Sequence, residues 1–460
     1  MDRIRIFALT LLLLLWPSAM ADAAAAEDQP ADQYESAANV GVTISHTDGR
    51  PPQTDATART VGERIHSVID AADAAPLPDG VRQLDGRGKL LIPGLWDMHV
   101  HLTDSTETAL PALVANGVTG VRDMGGDLKL LDRWRSEIES GQRLGPRIYR
   151  TGPYVDGPKE DAPFRLTVTN PKEARAAVEQ LAAQKVDLIK IHNEVPRDAF
   201  FALAEAADKA GVPFGGHVPK TVRAAEASDA GQKSIEHVMT LFEGIFTKEE
   251  PGKKGLVTGI ELFKEQGARE LFARFATNRT WVTPTLIAYD ASARWRSTKG
   301  DPRGVYVAAS LKKQWNRYFP IQGPIVESIR QRISAHCFDL VGIMHKQGVG
   351  LLAGTDLALR DIFPGFSLHD ELAHLVKAGL TPLAALQTAT IAPARFLGVE
   401  AMQGAVKPGY VADLVLLDAN PLEKIGNTRR IAAVIVRGRV LERSDLDRLL
   451  DKVQAAAPSH

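Results

Sequence analysis

One cysteine, Cys337, stands among 460 residues. An intrachain disulfide is therefore excluded, and so is any zinc or iron–sulfur site built on thiolates. Charge of one sign is also missing: 55 Lys and Arg against 56 Asp and Glu leave a net charge of −1. No basic excess points to nucleic acid, and no acidic block marks a solvating tail. Beyond the N-terminus, no apolar run approaches the ~20 residues that a membrane span needs. What is present is ordinary for a globular protein: 44% hydrophobic and 24% charged residues, 38 Gly and 27 Pro. Whatever this chain binds, it binds with oxygen and nitrogen.

At the N-terminus, Arg3 and Arg5 precede the apolar run Ile6 to Trp16, and Ala19-Met20-Ala21 follows. A charged region, a short apolar region and an A-x-A site predict a signal peptide over residues 1–21. No cysteine follows it to carry a lipid. The expectation is an exported protein, periplasmic or secreted, with no membrane anchor. Residues 22–38, rich in Ala, Asp, Glu and Gln without an apolar period, read as a flexible linker.

Strand-like, turn-rich text then runs from Asn39 to Lys89, with Val40 to Ser45 and Arg64 to Ile69 as its clearest pieces. The C-terminal stretch repeats that style in Val411 to Leu417 and Ile431 to Val436. Between them, short apolar strands alternate with helical patterns such as Pro171 to Lys185 and Arg197 to Ala210. Alternation of that kind implies parallel βα units. Candidate strands are Leu95–His101, Val118–Met124, Arg147–Thr151, Asp187–His192, Pro213–Val218, Ser234–Val238, Trp281–Leu286 and Gly350–Thr355. Eight within about 300 residues predict an α/β protein built on a (β/α)8 TIM barrel. Two long excursions, Thr240 to Arg279 and Ile287 to Val349, leave strand ends where specificity elements sit.

Chemistry concentrates at the ends of those strands. His99 and His101 are two residues apart, so in a strand both imidazoles face one side and can share an ion. His217, His237 and Asp356 each end another short apolar strand. Such nitrogen and oxygen ligands suit divalent ions of the zinc type. Lys190 ends a further strand, where burial is costly for an ammonium. Burial and nearby metal charge can lower its pKa from about 10.4. The neutral amine can then add carbon dioxide, and the resulting carbamate can bridge two cations. Gly365-Phe366-Ser367-Leu368-His369 lacks the second glycine of a nucleophile elbow. His369 and His374 lie five apart, about 140° round a helix, too far for one zinc. His369 remains a candidate substrate contact, while His46, His66 and His460 read as surface residues.

These motifs resemble the metal-dependent amidohydrolase superfamily, in its imidazolonepropionase and prolidase-like, Xaa-Pro dipeptidase-like branch. Leu91-Ile92-Pro93-Gly94-Leu95-Trp96-Asp97-Met98-His99-Val100-His101 is similar to the family's entry motif. Gly379-Leu380-Thr381-Pro382, Ala389 to Ala394 and Ala412-Asp413-Leu414-Val415 are similar to its closing signatures. The resemblance implies a barrel over residues 94–395 and a small β-sandwich from both chain ends, residues 39–93 plus 396–445. It further implies that His99, His101 and Asp356 hold one metal and His217 and His237 a second. Lys190, as N6-carboxylysine, would bridge them. Two cations about 3.5–4 Å apart can share a water and lower its pKa, and Asp356 would move the proton.

Family dipeptidases often carry Gly-Gly-His after strand three and His-x-Tyr after strand five. Here those places read Gly152-Pro153-Tyr154 and His217-Val218-Pro219, so the grip on a substrate carboxylate differs. Tyr154 and His192 are the candidate substrate contacts. The expected substrate is a small amide: a dipeptide, an N-acyl amino acid or an ochratoxin-like molecule. A mononuclear deaminase or cyclic amide hydrolase on the same barrel is the alternative, although Lys220 stands where such deaminases tend to carry Glu. A non-catalytic binding protein is the third reading, and the full ligand set argues against it. Oligomerisation is left open.

Overall fold

The computed structural model of this chain describes residues 36–158, 164–242, 260, 263–264, 267–294, 300–318 and 323–457. The expected signal peptide, residues 22–35 and His460 lie outside the described residues. Strand β1 (Ser36–Ile44) already includes the last residues assigned to the linker. Ala37 and Ala38 are fully buried and pair with Thr60 and Arg59. Alanine carries little apolar signal, yet the strand pairing satisfies its backbone and hides it from water. His46, expected at the surface, is buried as well.

β1 runs antiparallel to β2 (Gln53–Val61), which turns over Gly62-Glu63 into β3 (Arg64–Asp70). Gly62 sits at φ +54, as a two-residue hairpin turn demands. β4 (Arg82–Asp85) and β5 (Leu90–Pro93) pair parallel to β1.

The middle of the chain is α/β. β6 (Leu95–Val100), β7 (Val118–Asp123) and β8 (Arg147–Arg150) form one parallel sheet in that order. A second parallel sheet comprises β9 (Tyr154–Asp156), β10 (Arg165–Thr167), β11 (Ile189–Ile191), β12 (Phe214–Gly216), β13 (Ser234–Glu236) and β14 (Trp281–Thr283). Its order is β10-β9-β11-β12-β13-β14. These strands are almost wholly buried, the mark of parallel sheets covered on both faces.

Backbone bonds outside the strand ladders join the two sheets. Asp187 N donates to Arg150 O at 3.0 Å, and Leu352 N to Val282 O at 3.0 Å. Met98 N donates to Ala353 O at 2.9 Å, and Asp356 N to His99 O at 2.8 Å. Residues 350–357 thus touch β14 on one side and β6 on the other. They are not the regular strand expected over Gly350–Thr355, because Ala353 N goes to Thr388 O and Thr355 N to the Asp97 carboxylate. The expected strand Arg147–Thr151 ends at Arg150, and it is β9 that hydrogen-bonds to β11.

Helices cover these strands. The Pro171–Ala183 helix begins with Asn170 accepting from the N–H groups of Lys172 and Glu173, and with proline in its first turn. The Arg197–Ala210 helix stops at Gly211, which adopts φ +66. Both follow the expected ranges to within two residues. Among the described residues, no helix is long and apolar enough to cross a membrane.

β15 (Leu414–Leu417), β16 (Ile431–Val436) and β17 (Arg439–Glu442) return to the first strands. They complete an eight-stranded sheet in the order β17-β16-β15-β5-β1-β2-β3, with β4 beside β1. Leu414 pairs with Pro93, so the two chain ends share one sheet. Val42, Ile44, Leu91, Leu414, Leu416 and Ile435 pack together as a core separate from that of the α/β part. Burying each such side chain contributes ~1.5–3 kcal/mol. The Arg443–Ala456 helix then packs back on the Ala109–Ala115 helix.

Candidate metal centre

The strand ends bring the expected ligands into one cluster. His99, on β6, and His101, just beyond it, direct Nε2 at Asp356 Oδ1 from 3.4 and 3.3 Å. His237, just after β13, places Nε2 3.7 Å from Asp356 Oδ2. Ligand atoms of His99, His101 and Asp356 all lie within 4.8 Å of one another. The imidazoles then continue in a row: His99 to His237 at 4.6 Å, His237 to His217 at 4.9 Å, and His217 to His192 at 4.0 Å between ring centroids.

Backbone shape aims these groups. His237 and Asp356 adopt φ +66 and +60, a left-handed conformation that few residues other than glycine adopt. Strain of that order clusters at functional sites, where the surrounding structure holds it. Gly216 explains how Lys190 fits. A Cβ there would stand 2.2 Å from Ile191 O and 3.0 Å from Lys190 Cδ. Gly354 likewise lets residues 350–357 approach His99, whose Cβ would lie 2.9 Å from an added methyl.

Each of the four expected ligand rings is anchored through Nδ1. His99 Nδ1 meets Glu236 Oε2 at 2.9 Å, and His101 Nδ1 meets Gly125 O at 3.2 Å. His217 Nδ1 meets Asn193 Oδ1 at 2.5 Å, and His237 Nδ1 meets Thr285 Oγ1 at 2.8 Å. Carboxylate and carbonyl oxygens only accept, so Nδ1 carries the proton in the first three, leaving an Nε2 lone pair on each neutral ring. His99 Nε2 is buried with no hydrogen-bond partner. An orphaned buried nitrogen calls for an explanation, and a cation among these donors supplies one. The donor set fits a divalent ion of the zinc type.

Electrostatics favour the same state at His99, His217 and His237, whereas at His101 the Asp356 carboxylate outweighs burial and raises the pKa. Burial first, then the charge of Lys190, holds His99 well below its usual pKa. Burial first, then His192, does the same to His217. Burial brings His237 down to about 4. For Asp356, burial opposes the charge, but His237, His101 and Lys190 outweigh it and hold the carboxyl at about 2. Lys190 is 2% exposed, and burial lowers its amine to about 8. A lysine so placed offers a neutral amine far more readily than one in water.

Of the expected substrate contacts, two reach the cluster's edge. His192 stacks on His217 and lies 3.2 Å from Asp156 Oδ2, and the Tyr154 ring is 5.3 Å from His192. His369 is not brought here. It is buried, with Nδ1 on Thr428 Oγ1 and Nε2 on Asn116 O, so both nitrogens tie helices together.

Several supporting groups escaped the sequence reading. Asp97 accepts from the N–H groups of His99 and Thr355 and from Thr355 Oγ1, so one carboxylate pins β6 to the Asp356 segment. Burial raises that carboxyl to about 7. Asp123, also raised by burial, accepts from Leu102 N and Gly125 N and shapes the loop beside His101. Arg122, on β7, and Glu236, on β13, pair in the buried interior. Their signal was a charged residue within an otherwise apolar strand.

Residues 90–441 match the amidohydrolase family. The chain is 23% identical over 402 residues to ochratoxinase of Aspergillus niger, covering 74% of this chain and 72% of that protein. A bottromycin amidohydrolase superposes with a TM-score of 0.74 at 24% identity, covering 93% of this chain and 92% of that one. A Xaa-Pro dipeptidase with methionine in its active site superposes with a TM-score of 0.68 at 20% identity, covering 89% and 100%. The chain belongs to the amidohydrolase family: it is an enzyme that hydrolyses amide bonds.

Proposed function

We propose that this enzyme uses two divalent metal ions to cleave the amide bond of a dipeptide or an N-acyl amino acid, ochratoxin-like amides included. The observation that carries this is the row of anchored imidazoles meeting Asp356, with a buried Lys190 of lowered pKa among them. His99, His101 and Asp356 would hold one ion, and His217 and His237 the other. Lys190, as N6-carboxylysine, would join them. Bound zinc supplies Lewis acidity, polarising a carbonyl and making water acidic near neutral pH.

The protein's own part is orientation and proton movement. A carboxylate oxygen of Asp356 takes the proton of the attacking water. It later delivers that proton to the leaving amine nitrogen, a general-base and general-acid role. His192, steadied by Asp156, and Tyr154 flank the acyl or amine side and orient the substrate. Without the Gly-Gly-His and His-x-Tyr elements, selectivity falls on apolar or aromatic groups beside the scissile bond.

The barrel is proposed to close through the bonds that residues 350–357 make to β14 and β6. The end sheet is proposed to fold over its own core as a sandwich. Export after cleavage near Ala21 belongs to the same reading.

A one-ion deaminase is favoured by a narrower observation: the tight triad alone could hold a single metal. Metal analysis with a panel of dipeptides and N-acyl amino acids separates the two. Two ions per chain and turnover of such amides support the binuclear reading. One ion, with ammonia released only from cyclic amidines, replaces it by the deaminase.

A further inference from the structure

Behind His99 lies a charged group that serves none of the steps above. Glu236, on β13, and Arg122, on β7, are 0% and 1% exposed. Arg122 Nη2 donates to both oxygens of Glu236 at 2.8 Å. Its other nitrogens are engaged as well: Nε donates to Met98 O at 2.8 Å and Nη1 to Ser234 Oγ at 3.0 Å, while Nη2 also donates to Thr283 Oγ1 at 2.9 Å. The Phe396 ring covers the guanidinium at 4.9 Å. Ser234 Oγ donates to Glu236 Oε1 at 2.6 Å. Oε2 of Glu236 also accepts from His99 Nδ1 at 2.9 Å.

A buried ion pair is a poor way to stabilise a fold, because desolvation cancels most of the attraction, and apolar replacements often do as well. This one joins four strands and touches the centre at one atom, His99 Nδ1. We propose that Glu236 is a positioning residue of the metal centre. It holds the His99 ring in the tautomer and direction that present Nε2 to a cation, and Arg122 offsets the charge it needs to do so. A carboxylate behind a ligating imidazole also raises the basicity of the ligand. His99 is the fitting place for it, being the most deeply buried of the ligand rings and unable to borrow water as a partner.

The inference rests on the metal reading above, and the test separates the two. Metal-free protein is titrated with zinc against a chromophoric chelator. Wild type should bind tightly, and if it takes up no zinc, the metal reading itself fails. Glu236→Gln should bind one zinc about 10–100-fold more weakly. Ser234→Ala, which removes a bond to Glu236 but none to His99, should lower the melting temperature yet keep zinc affinity within about threefold. A purely structural role would move both variants alike. Should Glu236→Gln fail to fold, Arg122→Met/Glu236→Met removes both charges together and leaves none buried alone. It should melt near wild type and still lose zinc affinity. Wild-type affinity in Glu236→Gln, or in the double variant where that is needed, overturns the proposal.

Discussion

At Asp356, one carboxylate faces three imidazoles, and no serine or cysteine nucleophile is required by the chemistry proposed there. Removing its charge while keeping its shape is therefore the sharpest test. Asp356→Asn should retain metal and lose about 10²–10⁴ in kcat, the usual worth of a general acid–base group. Steady-state kinetics with metal analysis on the same sample decide it, and a loss under about tenfold would move the proton role elsewhere. If Lys190 bridges two ions as proposed, Lys190→Ala should shed most of its metal, and added acetate or propionate should restore part of the activity. Full metal content in that variant would remove the carbamate from the centre. The clustering of the expected ligands was legible because residues i and i+2 of a strand share a face and each expected ligand ends a short apolar run. Glu236 and Arg122 were not. A charge inside an apolar strand marks the residue, but its role is not readable until its partner, on a strand far along the chain, is known.

The Phe366–Lys377 helix shows what an element can hide. Its two buried ionisable groups make opposite demands on pH. Burial, then the charge of Arg429, lowers His369 to about 4. The unfolded chain therefore binds the extra proton between pH 6.5 and 4, and stability present above 6.5 is lost as pH falls, by up to ~3 kcal/mol. Glu371 accepts from Leu286 N and Ile287 N, yet burial raises it to about 8. Its contribution is complete below pH 4.5 and is lost as pH rises through 8. Melting temperatures across pH 4–9 should fall on both sides, and His369→Gln should flatten the acid side alone. An unchanged acid slope would contradict the assignment. The sequence left His369 only as a candidate substrate contact; the packing on Asn116 and Thr428 shows which way it faces. β16 matched its expected range, Ile431–Val436, because its β-branched run has sharp borders. Gly350–Thr355 did not become a strand, since a side chain and a distant carbonyl take its N–H groups. Pattern alone cannot announce such competition.

For the whole molecule, the centre is stitched from segments between His99 and Asp356, so metal occupancy should report on global stability. Binding at a thousandfold over Kd adds ~4 kcal/mol. EDTA should therefore lower the melting temperature measurably, and zinc should restore it. No shift would mean that the ligands are ordered without any ion. The repeating βα pattern made the α/β class legible from composition and periodicity. The end sheet was legible only as strand-like text at both ends, because pairing between Pro93 and Leu414 leaves no local trace.

That pairing also imposes a timetable. A chain made from its N-terminus exposes the β5 edge until Leu414 arrives, after every strand of the α/β part has been synthesised. An open edge invites wrong partners, and contacts so distant in sequence form slowly. Until then β5 has β1 on one side and no β15 on the other. Closure of that edge therefore falls to Leu414–Leu417, made long after the Leu90–Pro93 strand that it covers.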